Sequence, residues 1–245
     1  MPRYNRVVFK LSGETLAPVR DEDRLDKKKS PCFHEGRVNE AADMIARVYA
    51  TGVQIGIVMG GGNIWRGRFS DDMDPVAADQ MGMLASILNA LCVEEALTRR
   101  GIKARAFTVQ EMNRFAQLYT ARDAIEAMEE GYVVLLGGGT GNPFFTTDSG
   151  AALRAAELKA DAILKGTTVD GVYDRDPNKD RENAVFFKDL TYRQAIEMRL
   201  NVMDITAYEI CIKGNVGAIR VFNMNDLENI VRVARGEDIG STIHF

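Results

Sequence analysis

The chain has 245 residues, 46% of them hydrophobic and 27% charged, an ordinary globular balance with enough length to bury a sizeable core. A net charge of -4 and a pI near 5.4 exclude a general electrostatic attraction for nucleic acid or membranes, so any phosphate binding must come from local sites. Cys32, Cys92 and Cys211 are odd in number and widely spaced, which gives neither a disulfide framework nor a zinc pattern and suits a reducing cytosol.

The N-terminal "MPRYNRVVFKLSGE" lacks the apolar run of a signal peptide, and no segment reads as apolar enough to span a bilayer. In chain order, "RVVFKL" predicts a strand that stops at Ser12-Gly13. Residues 21–31, "DEDRLDKKKSP", read as a charged, solvated loop. "VNEAADMIARVYATG" has helical spacing and stops at Gly52. "VQIGIVMGGGN" is a strand entering a glycine turn. Residues 75–100 form a long helix with Pro75 in its first turn and Gly101 beyond its end. "ARAFTV" is a strand, "ARDAIEAMEEG" a helix and "YVVLLGGG" a fourth strand. "DAILKG" is a fifth strand, and "AIRVFN" follows late in the chain. "DGVYDRDPNKDRENAVFF" is turn-rich but ends on an apolar pair, so it reads as an ordered excursion over the second half of the sheet. Continuous apolar strands between helices predict an α/β fold, a mostly parallel sheet covered on both faces, in one domain spanning residues 1–245.

The long helix carries apolar residues all round, among them Met81, Leu84, Ile87, Leu88, Leu91 and Val93. A helix that covers one sheet face needs only a stripe. The remainder predicts a partner, most simply a second copy of the helix in a two-fold contact; the alternative cover is "TYRQAIEMRL" of the same chain.

In such sheets ligands bind at the carboxyl ends of the strands. Four ends carry informative residues: Lys10 to Gly13, Gly60 to Asn63, residues 137–147, and Lys165 to Thr167. A Walker A loop is excluded, because the sequence has no Gly-Lys pair, and the G-x-G-x-x-G pattern fails at Trp65 and at Asn142. Glycines there either let the chain turn or let backbone N–H groups approach an anion. Lys10 and Lys165 each close a strand beside such a turn and could converge on a polyphosphate. In "GTGNPFFTTD" (residues 139–148), Phe144 and Phe145 are either core or a wall for an apolar ring face, with at least one expected in the core. Asp148 either caps the helix expected from about Ser149 or bridges the two lysines. Asp204 in "NVMDITAYE" either caps a helix or faces the nucleotides. The two histidines, His34 and His244, sit in unpromising places for catalysis. A phosphate acceptor, largely dianionic at neutral pH, needs no general base, and catalysis then reduces to positioning and charge stabilisation.

The segments "KLSGE", "GGGNIWRG", "ADQMGMLA", "GTGNPFFTTD", "VDGVY" with "DP" beyond it, "NVMD" and "RVFNMN" occur in an order and spacing that resemble the bacterial UMP kinase branch of the amino acid kinase family, over nearly the whole chain. The resemblance implies a three-layer α/β/α sandwich, a homohexamer, and phosphoryl transfer from ATP to UMP with Mg²⁺ in the cytoplasm, on the pyrimidine route toward CTP. It implies an N-terminal half mainly for UMP and a C-terminal half mainly for ATP. It puts Lys10, Leu11, Ser12, Gly13, Gly62, Arg66, Thr167, Tyr173 and Asp176 on ATP. It puts Gly61, Asp79, Thr140, Gly141, Asn142, Pro143, Phe144, Phe145, Thr146 and Thr147 on UMP. Lys10, Lys165 and Asp148 are the expected catalytic group, with no protein-held metal. Residues 17–36 depart from the family pattern in a region that in many members serves activation by GTP. The alternatives are another kinase of the same fold acting on a carboxylate or carbamate, or a non-catalytic nucleotide-binding protein.

Overall fold

The computed structural model describes residues 4–18, 32–65 and 73–245. The charged stretch 21–31 and Arg66 lie outside them. Nine strands form one sheet in the order β4-β3-β5-β2-β1-β6-β10-β11-β9. These are β1 (Arg6–Leu11), β2 (Gln54–Met59), β3 (Ala104–Thr108), β4 (Gln117–Leu118), β5 (Val133–Gly137), β6 (Ala162–Thr167), β9 (Asp189–Thr191), β10 (Ala218–Asn223) and β11 (Ser241–His244). β7 (Val172–Tyr173) and β8 (Phe186–Phe187) pair separately as a hairpin, so the turn-rich excursion is ordered. Every pairing in the large sheet is parallel except β10 with β11.

The two-residue period of a strand sorts the core into two layers. Val7, Phe9, Leu11, Ile55, Ile57, Met59 and Leu164 face one side with α1 (Glu35–Tyr49), α2 (Pro75–Thr98) and α7 (Glu228–Ala234). Val8, Val58, Val134, Leu136, Ile163 and Val221 face the other with α3 (Ala121–Glu129), α4 (Thr147–Glu157), α5 (Tyr192–Glu197) and α6 (Ile205–Lys213). The expected α/β/α sandwich is present. The short strands β4, β7, β8, β9 and β11 and the helices α5, α6 and α7 were not predicted, since two to nine residues carry little periodicity. α1 begins three residues before its apolar spacing does, because the His34 ring accepts the Arg37 N–H and caps it. His244 sits on β11, and neither histidine lines the cleft described below.

One sequence reading needs correction. α2 is 24 residues long with a mean hydropathy of 1.5 over its most apolar stretch, long and apolar enough by those measures to cross a membrane. In the fold it packs on β2, β3 and β5 and buries a polar Asn89.

β1 sits between β2 and β6, where the order of the sheet reverses direction. The crevice outside the carboxyl ends of such strands is the natural ligand site.

Candidate active site

A cleft of about 460 Å³ opens at the carboxyl ends of β1, β2 and β5. It is walled by Lys10, Ser12, the Gly60–Gly61–Gly62 turn, one face of α2, and the turn running from Gly139 to Thr147. Lys10 and Lys165 are register partners on β1 and β6, so both side chains leave the same face of the sheet, the face that carries α4. Asp148, in the first turn of α4, reaches between them. Its Oδ1 lies 3.2 Å from Lys10 Nζ and its Oδ2 accepts from Lys165 Nζ at 2.7 Å. Lys165 Nζ also donates to the Val202 carbonyl and lies 3.7 Å from Met203 Sδ.

The charges tune one another. Burial pushes the Asp148 carboxyl up, but the Lys165 and Lys10 ammonium groups outweigh it and hold it below the ordinary carboxylate value. Burial pushes Lys165 down, assisted by Lys10 and opposed by Asp148, and it ends below the ordinary lysine value. One carboxylate thus holds two ammonium groups side by side where an anion can meet both.

Asp148 is not the helix cap. Thr146 is, its Oγ1 accepting from the N–H groups of Asp148 and Ser149. Thr146 in turn donates to Asp204, which also accepts from Ser149 Oγ at 3.0 Å and caps α6 through the Ala207 N–H at 2.7 Å. Asp204 therefore ties the starts of α4 and α6 together, and Asp148 is left to the lysines.

The turn before α4 runs through left-handed backbone at Gly138, Gly139, Gly141 and Phe144, the last at φ 69°. A phenylalanine there is a strained choice, held by its N–H donating to Asp79 Oδ2 at 2.7 Å. The expectation that one phenylalanine is core fails: Phe144 is 74% and Phe145 48% exposed. The turn stands beyond the last layer of side chains, so no core reaches it. Phe145 faces the cleft; Phe144 and Pro143 lie outside its lining. Buried Arg154 secures the start of the turn, donating to the Gly139 carbonyl at 3.3 Å while its guanidinium lies 4.2 Å over Tyr119.

Other residues singled out in the sequence fall in different places. Gly61, Gly62, Asp79, Thr140, Asn142, Thr146 and Thr147 line the cleft with Lys10 and Ser12. Leu11 turns its side chain into the core, and its carbonyl accepts the Gly60 N–H. Gly13 is packed: a Cβ there would come 2.3 Å from Asn63 Oδ1. Thr167 closes β6, with its hydroxyl donating to Val169 O at 2.7 Å. Tyr173 stands edge-on to Phe186 in the β7–β8 hairpin, and Asp176 accepts the Asn178 N–H in the turn beyond. These three, at or beyond the end of β6, lie outside the cleft. Sequence reasoning missed Trp65, Ser86 and Asn89. Trp65 lines the cleft with its indole N–H fixed on the Ala78 carbonyl at 2.9 Å. The available signal for Asn89 was a lone amide inside the apolar run "SILNALCV".

The amino acid kinase family profile matches residues 5–223. The chain is 44% identical over its full length to the uridylate kinase of Bacteroides thetaiotaomicron and 45% identical to that of Phocaeicola vulgatus, with 100% of both chains covered in each case. This chain belongs to the amino acid kinase family, in its uridylate kinase branch. Among solved structures, the UMP kinase of Bacillus anthracis superposes with a TM-score of 0.88 at 33% identity, covering 98% of this chain and 96% of that one. The UMP kinase of Ureaplasma parvum gives 0.87 at 34% identity, covering 99% and 100%. The uridylate kinase of Archaeoglobus fulgidus, at 27% identity and a TM-score of 0.71, covers 97% and 99%.

Proposed function

We propose that this protein transfers the γ-phosphoryl group of ATP to UMP, giving ADP and UDP for pyrimidine nucleotide supply in the cytoplasm. The observation that carries the reading is the Lys10–Asp148–Lys165 cluster at the head of a cleft whose far wall is the Gly139–Thr147 turn. A phosphoryl group in transfer spreads negative charge over its equatorial oxygens, and two pre-placed ammonium groups stabilise it with little reorganisation. The acceptor is itself an oxyanion, so no base has to remove a proton. Asp148 is paired with both lysines and serves to hold them side by side.

UMP occupies the cleft between Gly61, Asp79 and the turn at residues 140–147. ATP lies across the β1 and β6 ends toward Thr167, Tyr173 and Asp176, with Lys10, the backbone of Leu11 to Gly13, Gly62 and Arg66 on its phosphates. Magnesium arrives on the nucleotide and supplies charge neutralisation there. The donor set fits that arrangement, since the carboxylates nearest the lysines, Asp148 and Asp204, are already engaged. The chains assemble through the outer face of α2, where Met81, Leu84 and Leu88 are exposed, into dimers and from these into a hexamer. α5, with "TYRQAIE", packs on β9, β11 and α6 instead.

A phosphoryl-transfer assay with UMP, CMP, aspartate, glutamate and carbamate as acceptors tests the reading. UMP should turn over, and CMP should be poorer by about 10²-fold or more, because a site built for one base edge leaves its own groups unpaired on another. Turnover of a carboxylate or carbamate in place of UMP, or equal turnover of CMP, would overturn it.

A further inference from the structure

The glycine turns of the cleft rest directly on α2. A Cβ on Gly61 would lie 2.6 Å from the Gly82 carbonyl oxygen and 2.9 Å from Ala85 Cβ, and one on Gly137 would lie 2.8 Å from Ile87 Cα. The turns after β2 and β5 therefore touch the same stretch of one helix, backbone to backbone.

Two polar side chains of that stretch are spent on these turns. Ser86 donates to the Met83 carbonyl at 2.7 Å and accepts the Gly138 N–H at 2.8 Å. Asn89, 0% exposed, donates to the Gly60 carbonyl at 2.6 Å and to Asn63 Oδ1 at 2.7 Å, and accepts from Asn63 Nδ2 at 3.1 Å. Asn63 Nδ2 continues to the Cys32 carbonyl at 2.9 Å. A Cβ on Gly13 would come 2.7 Å from Asn89 Nδ2, so the same amide pair also lies under the turn that follows β1. A buried amide is costly unless bonded, and helix packing alone would be served by an apolar residue at position 89. Apart from the Ser86 bond to Met83 within α2, these two side chains bond to the turns that follow β2 and β5.

We propose that Asn89 and Ser86 are positioning residues for phosphoryl transfer: they set the height of the Gly60–Gly62 and Gly137–Gly139 turns relative to Lys10 and Lys165. Neither side chain need touch the transferred group. The effect arises because in-line transfer loses about 10²-fold for a misplacement near 1 Å. The inference rests on the reading of the cleft as a phosphoryl-transfer site.

The test compares Asn89→Leu, Ser86→Ala, and the pair Asn63→Ala and Asn89→Ala alone and combined. Trp65 is the single tryptophan and lines the cleft, so its fluorescence reads UMP binding apart from turnover. In Asn89→Leu, kcat should fall about 10-fold to 100-fold, while the fluorescence Kd for UMP shifts by less than about threefold, the pattern of an interaction needed in the transition state. Ser86→Ala, which removes one oxygen, should show the same split at about threefold to tenfold; it carries the test if Asn89→Leu does not fold. In the double variant the combined loss should not exceed that of the worse single one, since both break one network. A lowered melting temperature with unchanged kcat per folded chain, or strictly additive losses, would overturn the proposal. An active wild type with unaltered variants defeats this inference alone; a wild type inactive on every acceptor defeats the underlying reading and this with it.

Discussion

The two sides of the site are built differently. On the side assigned to UMP, α2 contributes Asp79, Ser86 and Asn89 to two loops, and each is bonded before any ligand arrives. On the side assigned to ATP, Thr167 ends a strand, while Tyr173 and Asp176 belong to a two-stranded hairpin and its polar turn, with exposed Val185 beside them. The first side is fixed by a 24-residue helix; the second rests on local turns such as Asp174 accepting the Val185 N–H at 2.8 Å and Asp176 accepting the Asn178 N–H. The contrast teaches where selectivity is stored. A pre-bonded wall can refuse a wrong base, because the wrong base leaves its groups unpaired. A hairpin on the open surface offers contact without that penalty.

The largest effects should fall between the two sides, at the lysines. Lys165→Ala should lower kcat by about 10²-fold to 10³-fold, the range for removing one transition-state donor, with a far smaller change in KM for UMP. A change in KM alone would make Lys165 a ground-state ligand. The pH dependence follows from its lowered pKa. Lys165 should lose its proton below the ordinary lysine value of 10.5, so kcat should fall on an alkaline limb starting below that pH. Its contribution to stability has the opposite sign. Between the folded and unfolded pKa values the unfolded chain binds more protons, so this contribution rises with pH while activity declines. In Asp148→Asn the carboxylate that raises Lys165 is gone, and any residual activity should show its alkaline limb at still lower pH. A limb that does not move would separate Lys165 from Asp148.

A smaller effect sharpens the contrast between the sides. Asp79→Asn keeps an oxygen for the Phe144 N–H, so the strained turn stays fastened, but the carboxylate that could accept from two ribose hydroxyls is lost. UMP affinity should weaken by about tenfold, some 1.4 kcal/mol, with ATP affinity within about twofold. Calorimetry on the folded variant reads both, and an unchanged UMP affinity would leave Asp79 as a turn fastener only.

The uneven construction also explains what could be read in advance. The long strands and α2 were legible because five or more residues of one period outweigh local noise. Lys10 and Lys165 were legible as cations ending apolar strands. The bridging of Asp148 was not decided, because Asp148 and Thr146 are equally good caps by residue type, and only the fold shows Thr146 taking that bond. Phe144 and Phe145 misled because hydrophobicity predicts burial only where a layer exists to bury against. At Gly61 and Gly137, where the sequence leaves a chain turn or an anion contact open, the glycine serves helix contact, which depends on a partner distant in the chain and leaves no local trace.

The smallest effect on chemistry, and the clearest on assembly, concerns the outer face of α2. Its inner face carries Ala78, Ala85, Asn89, Val93 and Ala96, all buried. On a different side of the helix Met81, Leu84 and Leu88, at spacings of three and four, form a stripe in which both leucines are 51% exposed. Among the described residues nothing covers it, yet the same helix holds the wall of the cleft from inside. A two-fold pairing of this stripe with its copy would bury it and brace the wall without entering the cleft. Leu88 is half exposed and Leu88→Asp costs about 0.5 kcal/mol in helix propensity, so the variant should fold. In sedimentation at micromolar concentration the wild type should run as an assembly and Leu88→Asp as a smaller species, with kcat per chain within about threefold because the Ser86 and Asn89 bonds lie on the other face. A wild-type monomer would remove the pairing altogether. A folded Leu88→Asp protein of unchanged mass would place the contact on another face and leave the leucine stripe without a role.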